Sequence, residues 1–271
     1  MIDKRRLSLA VARARARQAS VEGADFLLLR LAEDLADRLA VVTRQFAKAL
    51  LIAPSHRAFL DVVRMRVDGA IDVIDERSMF GETLAAPGTG YDLVVSVGQL
   101  HLLDDVPGML IQIGRVMVPD GLLIAAIPGV GTLDDVRTRL LSAELDLAGG
   151  AANRFLPLMD VRSAGALLQR TGFALPVSDV ESVTVRYGRF ESLVNDLRSM
   201  AATNCLLADT SRPLSRTIFD QLRSDWGAAP GKVEVCYDMI WMSGWAKAAS
   251  QPKPLKPGSA NVSLADFLNK K

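Results

Sequence analysis

Tyr91-Asp-Leu-Val-Val-Ser-Val-Gly98, then Asp104-Asp-Val-Pro-Gly-Met-Leu-Ile-Gln-Ile-Gly-Arg-Val-Met117, then Val118-Pro-Asp-Gly-Leu-Leu-Ile-Ala-Ala-Ile-Pro128, decide the fold. The first run is apolar and β-branched and follows a Pro87-Gly-Thr-Gly90 turn, which suits a strand covered on both faces. Asp104 and Asp105 supply N-cap oxygens, and Pro107 sits where a missing N–H costs nothing. Val106, Leu110, Ile113 and Met117 recur at three- and four-residue steps, the stripe of a buried helix. Val118-Pro-Asp-Gly121 stops that helix, and Leu122 to Ile127 reads as a second buried strand. Two such strands joined by one helix form a parallel pair with a right-handed crossover. Ligands bind beyond the carboxyl ends of strands in such sheets, so residues 96–105 and 128–132 are the ones to watch.

Outward from this unit, the composition sets limits. A chain of 271 residues with 49% hydrophobic and 23% charged residues can bury one substantial core with a small appendage. A formal net charge of +1 argues against a protein built to grip nucleic acid or an anionic membrane. No apolar run approaches the ~20 residues that a membrane-spanning helix needs. Cys205 and Cys236 lack metal-ligand spacing and read as free thiols of a reducing compartment. With His56 and His101 the only histidines, no metal site is expected.

Residues 1–21 carry Lys4, Arg5, Arg6, Arg13, Arg15 and Arg17 against Asp3. That pattern fits a mitochondrial transit peptide or a solvated basic helix of the folded protein, and we favour the helix. From Ala24 to Lys48, Leu28, Leu31, Leu35, Leu39 and Val42 mark an amphipathic helix, with Arg30, Glu33, Asp34, Asp37 and Arg38 on its polar face. A first strand, Ala49-Leu-Leu-Ile-Ala53, follows, and Ala70-Ile-Asp-Val-Ile74 is a second that ends at Asp75-Glu76. Beyond the central unit, Thr132 is the expected cap of a helix to Leu147, and Asp160 caps another that closes at Gly172. Phe173-Ala-Leu and Val183 to Tyr187 read as two antiparallel edge strands, and Val233 to Met242 as a strand that completes the sheet. Amphipathic helices are expected over 190–200 and 214–226. Phe190 is either a core residue or an exposed anchor for a partner.

The strand, the His101-Leu-Leu-Asp-Asp-Val-Pro107 segment and the Pro-Asp-Gly turn together resemble the second half of a class I S-adenosylmethionine (SAM) methyltransferase domain. Later motifs narrow the resemblance: Gly131-Thr-Leu-x-x-x-Arg137, Tyr187-Gly-x-Phe190 through Met200 with Asn204-Cys205, and Gly258-Ser-Ala-x-Val-Ser263. With Ala24-Asp-Phe-Leu and Ala32-Glu-Asp-Leu-Ala-Asp-Arg38, they look like the branch of the respiratory complex I assembly factor that hydroxylates an arginine, and of its α-proteobacterial relatives. The malonyl-carrier-protein methyltransferase is a more distant cousin. The fold so implied is a Rossmann-like α/β domain, a parallel sheet with an antiparallel edge. N-terminal helices would take residues 1–48, the domain 49–247, and a Pro/Lys-rich tail 248–271.

Against that family the first strand departs. Aligned with A-L-D-L-G-C-G-x-G, its acid becomes Leu51 and its three glycines become Ala53, Ser55 and Arg57. Glycines there let backbone pass beneath the cofactor, so Pro54 and a large Arg57 side chain are expected to close the place. Only residues 58–90 lie before the Tyr91 strand, and one βα unit is expected to be missing. The resemblance implies cofactor contacts at Ala53, Ser55, Asp75, Glu76, Ser96 and His101. Asp75 and Glu76 read equally as a polar strand end, and His101 reads first as a structural histidine. Two functions stand. One is a pseudoenzyme with an eroded SAM site that acts as an assembly or scaffolding factor for a protein partner, a respiratory-complex subunit. The other is an active SAM-dependent methyltransferase or hydroxylase with an altered cofactor loop. The location implied is the bacterial cytoplasm, or the mitochondrial matrix in a eukaryote.

Overall fold

The computed structural model describes residues 2–75, 82–207 and 213–252. Helices α1 (Lys4–Ser20) and α2 (Phe26–Ala40) lead into β1 (Phe46–Ile52), α3 (Arg57–Arg64) and β2 (Val67–Ile74). The central unit follows as β3 (Tyr91–Val97), a 3₁₀ turn at Leu100–Leu102, α4 (Val106–Val116) and β4 (Met117–Pro128). Then come α5 (Asp134–Ala148), α6 (Val161–Arg170), β5 (Ala174–Tyr187), α7 (Phe190–Ser199), α8 (Arg216–Ala228) and β6 (Val233–Trp245). The strands form one sheet in the order β2-β1-β3-β4-β6-β5. The first four are parallel, while β6 runs antiparallel to β4 and to β5. This is the expected α/β fold, and the sheet ends at β2 with no further strand among the described residues before Tyr91.

Both faces of β3 are buried, as its Leu93-Val-Val95 run requires. Leu93, Val95 and Val97 meet Leu35 and Leu39 of α2 and Phe59 and Val63 of α3. Tyr91 and Val94 face Leu110 and Ile113 of α4 and Leu167 and Leu168 of α6. Asp105 caps α4 by accepting from Gly108 N at 2.8 Å, and Asp160 caps α6 through the N–H groups of Arg162 and Ser163. A third core joins α5, α7 and α8 over the first half of β6.

Some sequence expectations shift. The helix expected from Ala24 ends at Ala40, because Phe46 already pairs in β1. Asp34, assigned to its polar face, is buried beside Arg30 at 2.9 Å, and burial raises its pKa while Arg30 opposes the shift. Arg38 lies over the Trp241 ring at 4.5 Å and pairs with Asp179. The two edge strands expected near Phe173 and Tyr187 are one long strand, because residues 177–187 pair continuously with β6. The Pro-Asp-Gly turn lies inside β4 as a register irregularity opposite Tyr91 and Leu93. Gly121 is favoured there, since a Cβ would come within about 3.1 Å of the backbone oxygens of Val118 and Tyr91 and crowd them.

Candidate functional site

The chain leaves β1 toward β2 on one side and is taken up toward β3 on the other, so the strand order reverses between β1 and β3. Such a switch point opens a crevice at the carboxyl ends of the two strands. Residues 53–56 and 98–102 form its two lips.

At the β3 lip, Gly98 takes φ +62°, a conformation costly for other residues, and its N–H reaches Ala126 O at 2.8 Å. The bend turns Gln99, itself buried, and His101 toward the crevice. His101 stands between two cavities, of about 710 and 390 Å³, and lines both. Its Nδ1 is buried without a hydrogen-bond partner, and burial lowers its pKa to about 4. The imidazole is therefore neutral at pH 7.

At the β1 lip, the loop is stitched down. His56 caps α3: its Nδ1 accepts from Ala58 N at 3.3 Å, and its Nε2 lies 3.1 Å from Asp25 Oδ2. Arg57, expected to intrude on the crevice, begins α3 and points outward, with its side chain 88% exposed beside Asp61. The helical turn starting at Arg57 carries its side chain away from the strand ends.

What approaches instead is Arg15. Its Nη2 donates to Ser55 Oγ at 2.6 Å and lies 3.1 Å from Asp75 Oδ2, joining the ends of β1 and β2 on one side of the crevice. Helix α1, assigned from sequence to a solvated face, covers the strand ends. Asp3 caps it by accepting from Arg5 N and Arg6 N, and Leu7, Val11 and Ala14 are its buried stripe. Asp3 N donates to Cys205 O, Arg6 Nη1 to Leu206 O, and Gln18 Nε2 to Ser199 O at 2.6 Å. The helix thus spans from α7 and its following loop to the ends of β1 and β2.

Of the six expected contacts, Ser55 and Asp75 are brought together through Arg15, and His101 lines the crevice. Ala53 is buried beneath it, donating to Ile74 O at 3.3 Å. Ser96 is fully buried, and strand alternation puts it on the face of Val94, toward α4; its Oγ makes no hydrogen bond. Among the described residues Ser96 does not line the crevice cavity. Glu76 lies outside the described residues, as does the Gly258 to Ser263 motif.

Thr132 does not cap α5: its hydroxyl donates to Asp238 O and accepts from Asp238 N, and Leu133 is the cap residue at φ +59°. Phe190 is a core residue, packed on Phe219 and Trp226 with ring centroids 5.3 and 5.4 Å away. Asn204 turns the chain by accepting from Leu206 N at 2.9 Å, and Cys205 is buried. Gln99 falls within the watched stretch 96–105, whereas Arg15 was not singled out from the sequence. The three-to-four spacing of Leu7, Val11 and Ala14 was the available signal that this helix packs; nothing local marks Arg15 among six bases.

The larger cavity lies between the strand ends, α1 and the α5, α7 and α8 layer. Among the described residues, no helix is long and apolar enough to cross a membrane.

No family model matches the chain. It is 36% identical over 183 residues to the protein named arginine-hydroxylase NDUFAF5, mitochondrial, of Danio rerio, which covers 65% of this chain and 56% of that protein. Against the protein of the same name from Rattus norvegicus it is 29% identical over 275 residues, 93% of this chain and 79% of that one. The first match therefore spans little more than half of the relative. A solved structure described as a putative methyltransferase from Bacillus halodurans superposes with a TM-score of 0.52 at 10% identity, covering 79% of this chain and 98% of that one. The fold is that of the class I methyltransferases, and the relatives are those of the arginine-hydroxylase branch the motifs resembled.

Proposed function

We infer that this chain is a pseudoenzyme of the methyltransferase fold, an assembly or scaffolding factor whose client is a subunit of respiratory complex I. The observation that carries the reading is Arg15, bonded at once to Ser55 and Asp75. Those two residues stand where the resemblance implies cofactor contacts. A guanidinium between them competes with the cofactor for the same oxygens, and the loop offers Ala53, Ser55 and Arg57 in place of glycines. SAM carries a sulfonium, so the nearby guanidinium adds repulsion. Residues 49–247 are the working domain on this reading, residues 1–48 its cover, and 248–271 a tail. A bacterial cytoplasm, or a mitochondrial matrix, would hold it.

With Phe190 in the core, the partner surface moves to the outward row of α5, where Leu141 and Leu145 are exposed one turn apart. A second reading, an active SAM-dependent methyltransferase or hydroxylase, is favoured by the 710 Å³ cavity beside Gln99 and His101, a volume ordinary for ligand sites. Complementation separates the two. Deletion of the gene should impair complex I assembly, and Ser55→Ala should restore it fully. Leu141→Glu with Leu145→Glu should fail to restore it while the protein stays folded. Failure of Ser55→Ala together with rescue by the α5 variant would make the loop a working cofactor site.

A further inference from the structure

We propose that the larger cavity is a binding site for an aliphatic carboxylate of medium chain length, its tail among α5 and α7 and its head toward guanidinium groups. This goes beyond both functional readings and needs neither, since such a ligand can be a substrate or a bound effector. The tail end is set by Val136 and Leu140 of α5, Leu193 and Leu197 of α7, Phe155 and Leu222, all apolar. The strand ends lie at the opposite side of the cavity, at Ser55 and Gln99.

Among the described residues the charged lining has one sign. Arg6, Arg15, Arg154 and Arg198 reach the cavity, and no aspartate or glutamate among the described residues lines it. The acids that pair with these bases stand outside the lining: Asp3 behind Arg6, Asp75 behind Arg15 and Glu144 behind Arg154. They hold those three guanidinium groups in place, which leaves Arg198 as the lining base that a ligand can engage. Arg198 forms no ion pair among the described residues. A wall of this kind favours a carboxylate, with which guanidinium groups make paired hydrogen bonds, and disfavours an ammonium, a sulfonium or a second guanidinium. The apolar end adds affinity with chain length, roughly fourfold per methylene buried.

Isothermal titration of the full chain with dodecanoate below its micellar range, with decanoate, and with dodecyltrimethylammonium tests this. Dodecanoate should bind at one site in the micromolar range, roughly fifteenfold tighter than decanoate, and the ammonium should not saturate. Arg198→Gln should weaken dodecanoate at least about fivefold. Leu197→Trp, which fills the apolar end, should abolish binding with the circular dichroism spectrum unchanged; should that variant not fold, Leu140→Trp replaces it. Absence of saturable dodecanoate binding overturns the proposal. So does equal binding of the ammonium, or undiminished binding to the folded cavity-filling variant.

Discussion

The carboxyl ends of β3 and β4 and those of β1 and β2 meet at one crevice but are built by different means. The β3–β4 side is held by its own neighbourhood in sequence. Gly98 makes the bend, Asp105 caps the following helix, and Leu110 and Ile113 sit where the spacing puts them. The β1–β2 side is held from a distance, by Arg15 some 40 residues from Ser55 and 60 from Asp75. Local chemistry builds the first side, and a long-range ion pair ties the second together. Changes to the first side should therefore cost the fold, and changes to the second should mainly alter what the crevice accepts.

The largest effect expected is on the first side. Leu110 has no exposed surface, so Leu110→Asp should destabilise by about 3–5 kcal/mol in denaturant melts. A loss below about 0.5 kcal/mol would break the contrast, because it would mean that this helix face is not buried.

His101, on the same lip, should give the next largest effect. Burial lowers its pKa to about 4, against about 6.5 in an unfolded chain. Below pH 6.5 the unfolded chain takes up a proton that the folded chain refuses. Stability should therefore fall as pH drops toward 4 and level off beneath it, by about 2–3 kcal/mol in all. Melts of the protein and of His101→Asn across pH 4–7 check this: the variant should lack that component, and equal slopes would remove the basis for a neutral, buried imidazole.

Smaller effects belong to the second side. Arg15 is part-exposed, and Arg15→Ala should cost about 1 kcal/mol. Arg57 is almost fully solvated, and Arg57→Ala should stay within about 0.5 kcal/mol. Thermal melts of the pair sharpen the contrast: a larger loss at Arg57 than at Arg15 would reverse the assignment of which arginine closes the crevice.

The same division governs how much was legible in the sequence. The central unit, the Asp105 and Asp160 caps and the amphipathic helices were readable because periodicity and capping are local signals. That the described residues hold six strands fits the few residues between Arg57 and Tyr91. Arg57 was misread because only the loss of a glycine was visible; that α3 begins there and turns the side chain outward was not. Thr132 was misread because its hydroxyl is claimed by Asp238, 106 residues away. Phe190 was left open because exposure depends on α8 packing over it. Arg15 stayed hidden among six bases because its partners lie on two other elements.

The most direct measurement of the central claim, that Arg15 and a glycine-free loop have displaced ordinary cofactor binding, is calorimetric titration of the purified protein with SAM and S-adenosylhomocysteine. Loss of the strand-end acid and three glycines, at ~1–2 kcal/mol each, places the dissociation constant of SAM above ~100 μM. S-adenosylhomocysteine, lacking the sulfonium, should bind no worse than SAM, and Arg15→Ala should narrow the gap between them. One-site binding of SAM in the low micromolar range by the unaltered protein would contradict the claim.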